Sequence, residues 1–269
     1  MKKKTVSIMV AATMALSLFA GCGSSKDTAT EDTSKTESTE TTDESIENAS
    51  AETTDESSRT TFTVGFDAEY PPYGYMDDDG EYTGFDLELA QAVCDKEGWE
   101  LVKKPINWDS KDMELNSGSI DCIWNGFTMN GREDDYTFSE PYVDNSQVIV
   151  VADDSGIEKL TDLAGKTVGV QAASAALDLL QSEDEGGQKA LADTFGSLNE
   201  FADYNTAFTE LQAGALDALA IDVGVAKYQL NSRGEGFKIL DETLNTEQYA
   251  IGFKKGNQEL CDIVNKDLQ

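Results

Sequence analysis

The chain has 269 residues, with 52 acidic against 20 basic side chains, no histidine and a formal charge of −32. Such a charge repels phosphate backbones and excludes nucleic acid as an expected partner. The missing histidine removes Ser-His-Asp and Cys-His catalysis and the commonest zinc ligand, so neither a metal nor a cofactor is expected.

The chain opens on a processing signal. Lys2, Lys3 and Lys4 form a basic start, Val6 to Phe19 a short apolar run, and Ala20-Gly21-Cys22 a small-residue end. Residues 1–22 resemble a bacterial lipoprotein signal, with Phe19 where that pattern usually has Leu. The resemblance implies diacylation of Cys22, export, and a lipid anchor on the outer face of the cytoplasmic membrane. The competing reading is an ordinary cleaved signal with an incidental cysteine. Residues 23–59 are Thr, Ser, Glu and Asp with few large apolar side chains. Such a segment buries too little to offset its ordering entropy and reads as a disordered acidic tether. About 36 residues of flexible coil reach about 30–36 Å.

From residue 60 the pattern alternates strand and helix, which predicts an α/β architecture. Thr61 to Phe66 reads as a strand, followed by a stiff loop, Asp67-Ala-Glu69-Tyr70-Pro71-Pro72-Tyr73. Gly84 to Gly98 reads as a helix, from Leu87, Ala90 and Cys94 with Leu89 and Val93 at helical spacing. Glu100 to Lys104 is a strand and Ser110 to Asn116 a helix, with Trp108 at its start. Asp121 to Trp124 is a third strand, and Ser146 to Val151 a β-branched one. A second set follows: strands Lys166–Val170, Leu198–Phe201 and Ala215–Ile221, with helices Ala173–Leu180, Thr206–Ala213 and Val223–Leu230. Gln248 to Phe253 is strand-like and a helix starts at Asn257. Cys94, Cys122 and Cys261 read as small core residues with no metal spacing.

These elements predict two lobes, 60–150 with 245–269 and 151–244, crossing near Val150–Asp153 and near Glu242–Gln248. In open α/β sheets ligands bind beyond the carboxyl ends of strands. That gathers the loops after Phe66, Trp124, Val170 and Ile221 around one cleft.

Several residues there carry chemistry. Asp67 and Tyr70 stand on the first loop, and Trp108 offers a flat aromatic wall or, alternatively, core packing. Asn125, Gly126, Thr128 and Arg132 follow the third strand. Arg132 is one of three arginines in the chain, and a guanidinium beside free N–H groups grips a carboxylate through two parallel hydrogen bonds. Its alternative is a surface ion pair with Glu133 or Asp135, which contributes little. Ser174 and Ala175 lie at a helix start, where N–H groups favour an anion. Asp222 follows the apolar strand and serves either as an N-cap or as an acceptor for an ammonium group. The inventory suits an α-amino acid held by its two charges.

Tyr70-Pro-Pro-Tyr73, Gly84-Phe85-Asp86-Leu87, Gly118-Ser-Ile-Asp121, Arg132 with Phe138-Ser-Glu-Pro-Tyr142, Val168-Gly-Val-Gln171 and Gly214-Ala-Leu-Asp217-Ala carry a resemblance. From Phe62 to Asp267 the chain resembles the extracellular solute-binding proteins (family 3) of polar amino acid ABC importers. The resemblance implies a two-lobed, type II periplasmic-binding-protein-like fold with a hinge and interlobe cleft. It also implies a monomer that delivers an amino acid to a membrane permease and does no catalysis. It places the ligand between Tyr70 and Trp108, with Asp67 at its side chain or ordering the pocket. A carbonyl of Asn125 or Gly126 and the Asp222 carboxylate hold the amine. Thr128 and Arg132 hold the carboxylate, with N–H groups of Ser174 and Ala175. Three departures stand out. Thr128 to Arg132 is four steps where five are common, Ala173 stands where Gly is common, and the chain stops at Asp267-Leu268-Gln269 where members continue, so a shortened first lobe is expected. Rival readings are a cleft enzyme of the cyclohexadienyl dehydratase type, with Glu69 or Glu140 as its acid, and a ligand-sensing ectodomain.

Overall fold

A computed structural model describes residues 59–269. The signal, Cys22 and nearly all of the tether lie outside the described residues. In chain order the body comprises β1 (Thr61–Phe66), β2 (Glu69–Tyr70), β3 (Gly74–Met76), β4 (Tyr82–Thr83), α1 (Phe85–Glu97), β5 (Glu100–Pro105), α2 (Lys111–Asn116), β6 (Cys122–Ile123), β7 (Tyr136–Phe138) and β8 (Val143–Ala152). It continues with β9 (Thr167–Gln171), α3 (Ala175–Gln181), α4 (Lys189–Ala192), β10 (Ser197–Phe201), α5 (Tyr204–Gln212), β11 (Ala218–Asp222), α6 (Val223–Arg233), β12 (Phe237–Ile239), β13 (Asn245–Tyr249), β14 (Gly252–Lys254) and α7 (Gln258–Leu268).

Two sheets organise these elements. The first runs β5-β1-β6-β14-β7 and the second β10-β9-β11-β8-β12, with β13 also on β8; β2, β3 and β4 form a small third sheet. β1 lies between β5 and β6, parallel to both. Phe62, Val64 and Phe66 are fully buried, the period of two expected of a strand that turns one apolar face to the core. They pack with Leu87, Ala90 and Cys94 of α1 and with Leu260, Cys261 and Val264 of α7. Cys94, Cys122 and Cys261, the cysteines among the described residues, are buried and free. In the second sheet, β9 and β11 are parallel while β8 runs antiparallel to β11.

The chain changes sheets in two places. It leaves the first sheet after Phe138 and joins the second at Val143; it returns between Tyr249 and Gly252. The expected crossing near Val150–Asp153 is instead the far end of β8, and the segment near Glu242–Gln248 runs into β13, which pairs with β8 over Asn245–Tyr249. The reason is polar. The strand expected from Ser146 begins already at Val143, because Asn145, like Gln147 within the strand, donates to buried carboxylates. Tyr70 and Tyr73, from the loop after β1, pack among Val148, Tyr204, Phe208 and Tyr249, so the two sheets meet through aromatic rings.

Candidate functional site

Loops at the ends of β1, β6, β9 and β11 converge. Tyr70, Trp108, Asn125, Gly126, Thr128, Arg132, Gln171, Ser174, Ala175 and Asp222 line one cavity of about 10 Å³. That is room for about one water. A wider cavity of about 680 Å³ adjoins it at Trp108, lined by Asp67, Glu69, Asp109, Glu114, Glu200 and Asp203 among others. Nine of the ten residues singled out from the sequence therefore meet at one place. Asp67 lines the wider cavity instead, and Gln171 takes its position in the smaller one.

Gly126 explains how tightly the first wall is built. Its φ is +54, and a Cβ there would stand 2.9 Å from the Tyr249 ring and 3.0 Å from the Tyr70 ring. Glycine alone tolerates both the backbone and the approach. Its N–H donates to Asp86 Oδ2 at 2.5 Å. Asn125 Oδ1 accepts from the Asp67 N–H at 2.5 Å and so fixes the loop after β1 to the loop after β6. Burial pushes the Asp67 carboxyl up to about 6, against hydrogen bonds from the Glu69 N–H and Gln171 that favour its charge. Gln171 Nε2 donates to Asp67 Oδ2 at 2.7 Å, a bond between the two sheets.

The Arg132 guanidinium lies against the cavity, 5.0 Å from the Phe127 ring centre. Its ion pair is with Asp178 of α3, at 2.7 Å, and not with Glu133 or Asp135. Asp178 is mostly exposed, so this pair is weakly held and also joins the two sheets. Lys111 supplies a further cross-sheet bond, from Nζ to the Ala173 carbonyl at 3.2 Å. Burial, and then the Arg132 charge, hold its ammonium below the ordinary lysine value. Lys111 Nζ also sits 5.3 Å from the Trp108 ring centre, while Trp108 meets Phe127 edge to face and stays half-buried.

On the opposite wall, Ser174 caps α3. Its Oγ accepts from the Leu177 N–H at 3.2 Å and donates to the Gln171 carbonyl at 2.8 Å. The residue before it, Ala173, has φ +54, a left-handed conformation that glycine adopts without strain. The departure noted in the sequence is thus a strained turn at the mouth of the site.

Asp222 precedes α6, yet its side chain makes no capping bond. The buried carboxylate accepts from Tyr249 Oη at 2.7 Å, Gln147 Nε2 at 2.6 Å and Asn145 Nδ2 at 2.8 Å. Thr128 Oγ1 donates to Glu247 Oε1 at 2.7 Å. The sequence reading missed Gln171, Lys111, Asn145, Gln147, Glu247 and Tyr249. The available signal was amide and carboxylate side chains interrupting β-branched or apolar runs, as in Asn145-Ser-Gln147-Val-Ile and Glu247-Gln-Tyr249-Ala-Ile.

The site therefore offers a guanidinium from the first sheet, a helix start and a buried carboxylate from the second, and aromatic faces beside them. Residues 62–269 match the model of the bacterial extracellular solute-binding proteins, family 3. The L-cystine-binding protein TcyJ of Escherichia coli K12 is 30% identical over 210 residues, covering 77% of this chain and 76% of its own. The arginine-binding extracellular protein ArtP of Bacillus subtilis is 33% identical over 217 residues, covering 79% and 81%. A crystal structure of an ABC uptake transporter substrate-binding protein from Streptococcus pneumoniae with bound histidine superposes with a TM-score of 0.73 at 34% identity, covering 77% of this chain and 85% of that one. The chain belongs to the bacterial extracellular solute-binding proteins, family 3.

Proposed function

We propose that this protein binds an extracellular amino acid between its two sheets and delivers it to the permease of an ABC importer. The observation that carries the reading is the convergence, from two sheets, of Arg132 and Asp222 on one small cavity floored by Gly126 and walled by Tyr70 and Trp108. A zwitterion has its two charges a few ångströms apart and matches such a pair of opposed groups. Arg132, the Thr128 N–H and the N–H groups of Ser174 and Ala175 take the carboxylate. The bridge between Thr128 and Tyr249 is made by Met129 N to Gln248 O and Ala250 N to Phe127 O, which leaves the Thr128 N–H on the other side. Asp222 and a carbonyl of Asn125 or Gly126 take the amine.

A cavity of about 10 Å³ cannot admit an amino acid, so the lobes open first. We place the hinge at 139–142 and 250–251, where the chain passes between sheets. Closure then restores Gln171 to Asp67, Lys111 to Ala173 and Arg132 to Asp178. The six carboxylates lining the adjoining cavity favour a ligand whose side chain is polar or cationic. Cys22 anchors the protein by lipid, and the tether keeps it within reach of the permease. The protein acts as a monomer, without cofactor and without catalysis. The relatives are named as binding proteins, which favours this reading over a dehydratase.

A thermal-shift panel of the twenty amino acids with cystine and ornithine tests the proposal. A tight ligand raises apparent stability by mass action. Arg132→Ala leaves a ligand carboxylate unpaired and should weaken binding by several kcal/mol, on the order of a hundredfold or more. No shift with any member of the panel, or near wild-type affinity in the variant by calorimetry, would overturn it.

A further inference from the structure

Beneath the cavity two buried carboxylates share their donors. Asp222 closes β11 and Glu247 sits in β13, and both are at least nine-tenths buried. Asn145 Nδ2 donates to Asp222 Oδ1 and to Glu247 Oε1, at 2.8 Å each. Gln147 Nε2 does the same, at 2.6 and 2.8 Å. The carbonyl oxygens of these two amides, Asn145 Oδ1 and Gln147 Oε1, are buried without a partner among the described residues. An orphaned buried acceptor is costly. Both amides accept that cost in order to turn their N–H groups toward the carboxylates, which is the arrangement two negative charges require.

Asp222 lines the small cavity and Glu247 does not; Glu247 reaches it through Thr128, whose hydroxyl proton it accepts. We propose that Glu247 is a positioning residue for the amine half of the amino acid site: it turns the Thr128 proton away from the cavity and leaves the lone pairs of Thr128 and Asp222 free for an ammonium group. This inference rests on the amino acid reading above. A hydroxyl has one proton, so Thr128 Oγ1 donating to Glu247 meets a ligand only as an acceptor. A proton on Glu247 reverses this. The neutral acid is a weaker acceptor for the Thr128 O–H, which is then free to turn toward the cavity and withdraw one acceptor from the amine.

The surroundings give the direction of the pH dependence. Burial, then the Asp222 charge, hold the Glu247 carboxyl above its ordinary value, against the bonds from Thr128, Gln147 and Asn145. The other groups that face it are Tyr204 and Tyr249, the Arg132 guanidinium, and Asp178, Asp184 and Glu185 around the cavity of about 440 Å³ that Glu247 also lines. An ammonium group arriving at Asp222 offsets the Asp222 charge and lowers the proton affinity of Glu247. Ligand binding therefore releases a proton, and affinity rises with pH across the window above 4.5.

The test uses L-arginine as probe, replaced by the panel member with the largest thermal shift if arginine gives none. Calorimetry compares the wild type with Glu247→Gln from pH 5 to pH 8. The wild type should tighten as pH rises. The variant should bind roughly tenfold more weakly at pH 7.5, the effect of removing one nearby charge at an effective dielectric near 20, and the difference should narrow as pH falls. A carboxyl-carbon NMR titration of the wild-type protein keeps the proposal testable if the variant does not fold: the Glu247 midpoint should move to lower pH when arginine is bound. Parallel pH profiles for the two proteins, or a Glu247 midpoint that is unchanged or raised on binding, would overturn the inference while leaving the amino acid reading standing. Binding of no panel member to the wild type would overturn both.

Discussion

Asp86 lets one substitution test the electrostatics of the first lobe. Its carboxylate lies in the first turn of α1 and is fully buried. Oδ2 accepts from the Gly126 N–H, and Oδ1 has no full hydrogen bond among the described residues. The buried Tyr142 hydroxyl approaches it and favours its charge without reaching bonding geometry. Burial dominates, and pushes the carboxyl from 3.8 up to about 7. The unfolded chain releases this proton near 3.8 and the folded chain keeps it to about 7. Between those values the folded state binds more protons, so wild-type stability falls as pH rises through the window. The full rise corresponds to about 4 kcal/mol. Asp86→Asn removes that penalty and keeps an oxygen for the Gly126 N–H. The hydrogen bond and helix N-terminus attraction that favour the charged form are already contained in that net rise. We expect the variant to be about 4 kcal/mol more stable than wild type at pH 8, or roughly 8–16 °C in Tm, with the gap closing below pH 4. Urea unfolding of both proteins across this pH range measures the difference, which cancels other titrating groups such as Asp67. A variant less stable than wild type at pH 8, by the same margin as at pH 4, would refute the claim that burial governs this carboxyl.

Arg132→Lys should keep the charge but lose the planar fork, weakening amino acid binding by roughly 10- to 100-fold in calorimetry with little change in Tm. Ala173→Gly relieves a φ of +54. The relief of about 1–2 kcal/mol exceeds the added unfolded-state entropy, so urea denaturation should show a gain of up to about 1 kcal/mol. Gly126→Ala puts a methyl against the Tyr249 and Tyr70 rings at a positive φ; about 1–3 kcal/mol of stability should be lost in denaturation. Thermal-shift titration should show amino acid binding lost as well, because the ring of Tyr70 would have to move.

The fold class was legible from periodicity, because an alternating segment such as Thr61 to Phe66 turns its apolar positions to one face wherever it pairs, and helices such as Phe85–Glu97 mark one face by spacing alone. The strand-end residues were legible for a related reason: in an open α/β sheet the carboxyl ends share one side, so Asn125, Arg132, Ser174 and Asp222 had to gather once the strand order was roughly right. Tertiary structure alone decided which partners these groups take. Arg132 pairs with Asp178, 46 positions away, and Thr128 with Glu247, 119 positions away. Local spacing carries no information about such pairs. It also decided where the chain passes between sheets. Asn145 and Glu247 lie just outside the strands marked by periodicity and become strand residues only because buried carboxylates and amides must find one another, and that requirement exists only after the second sheet has closed around them.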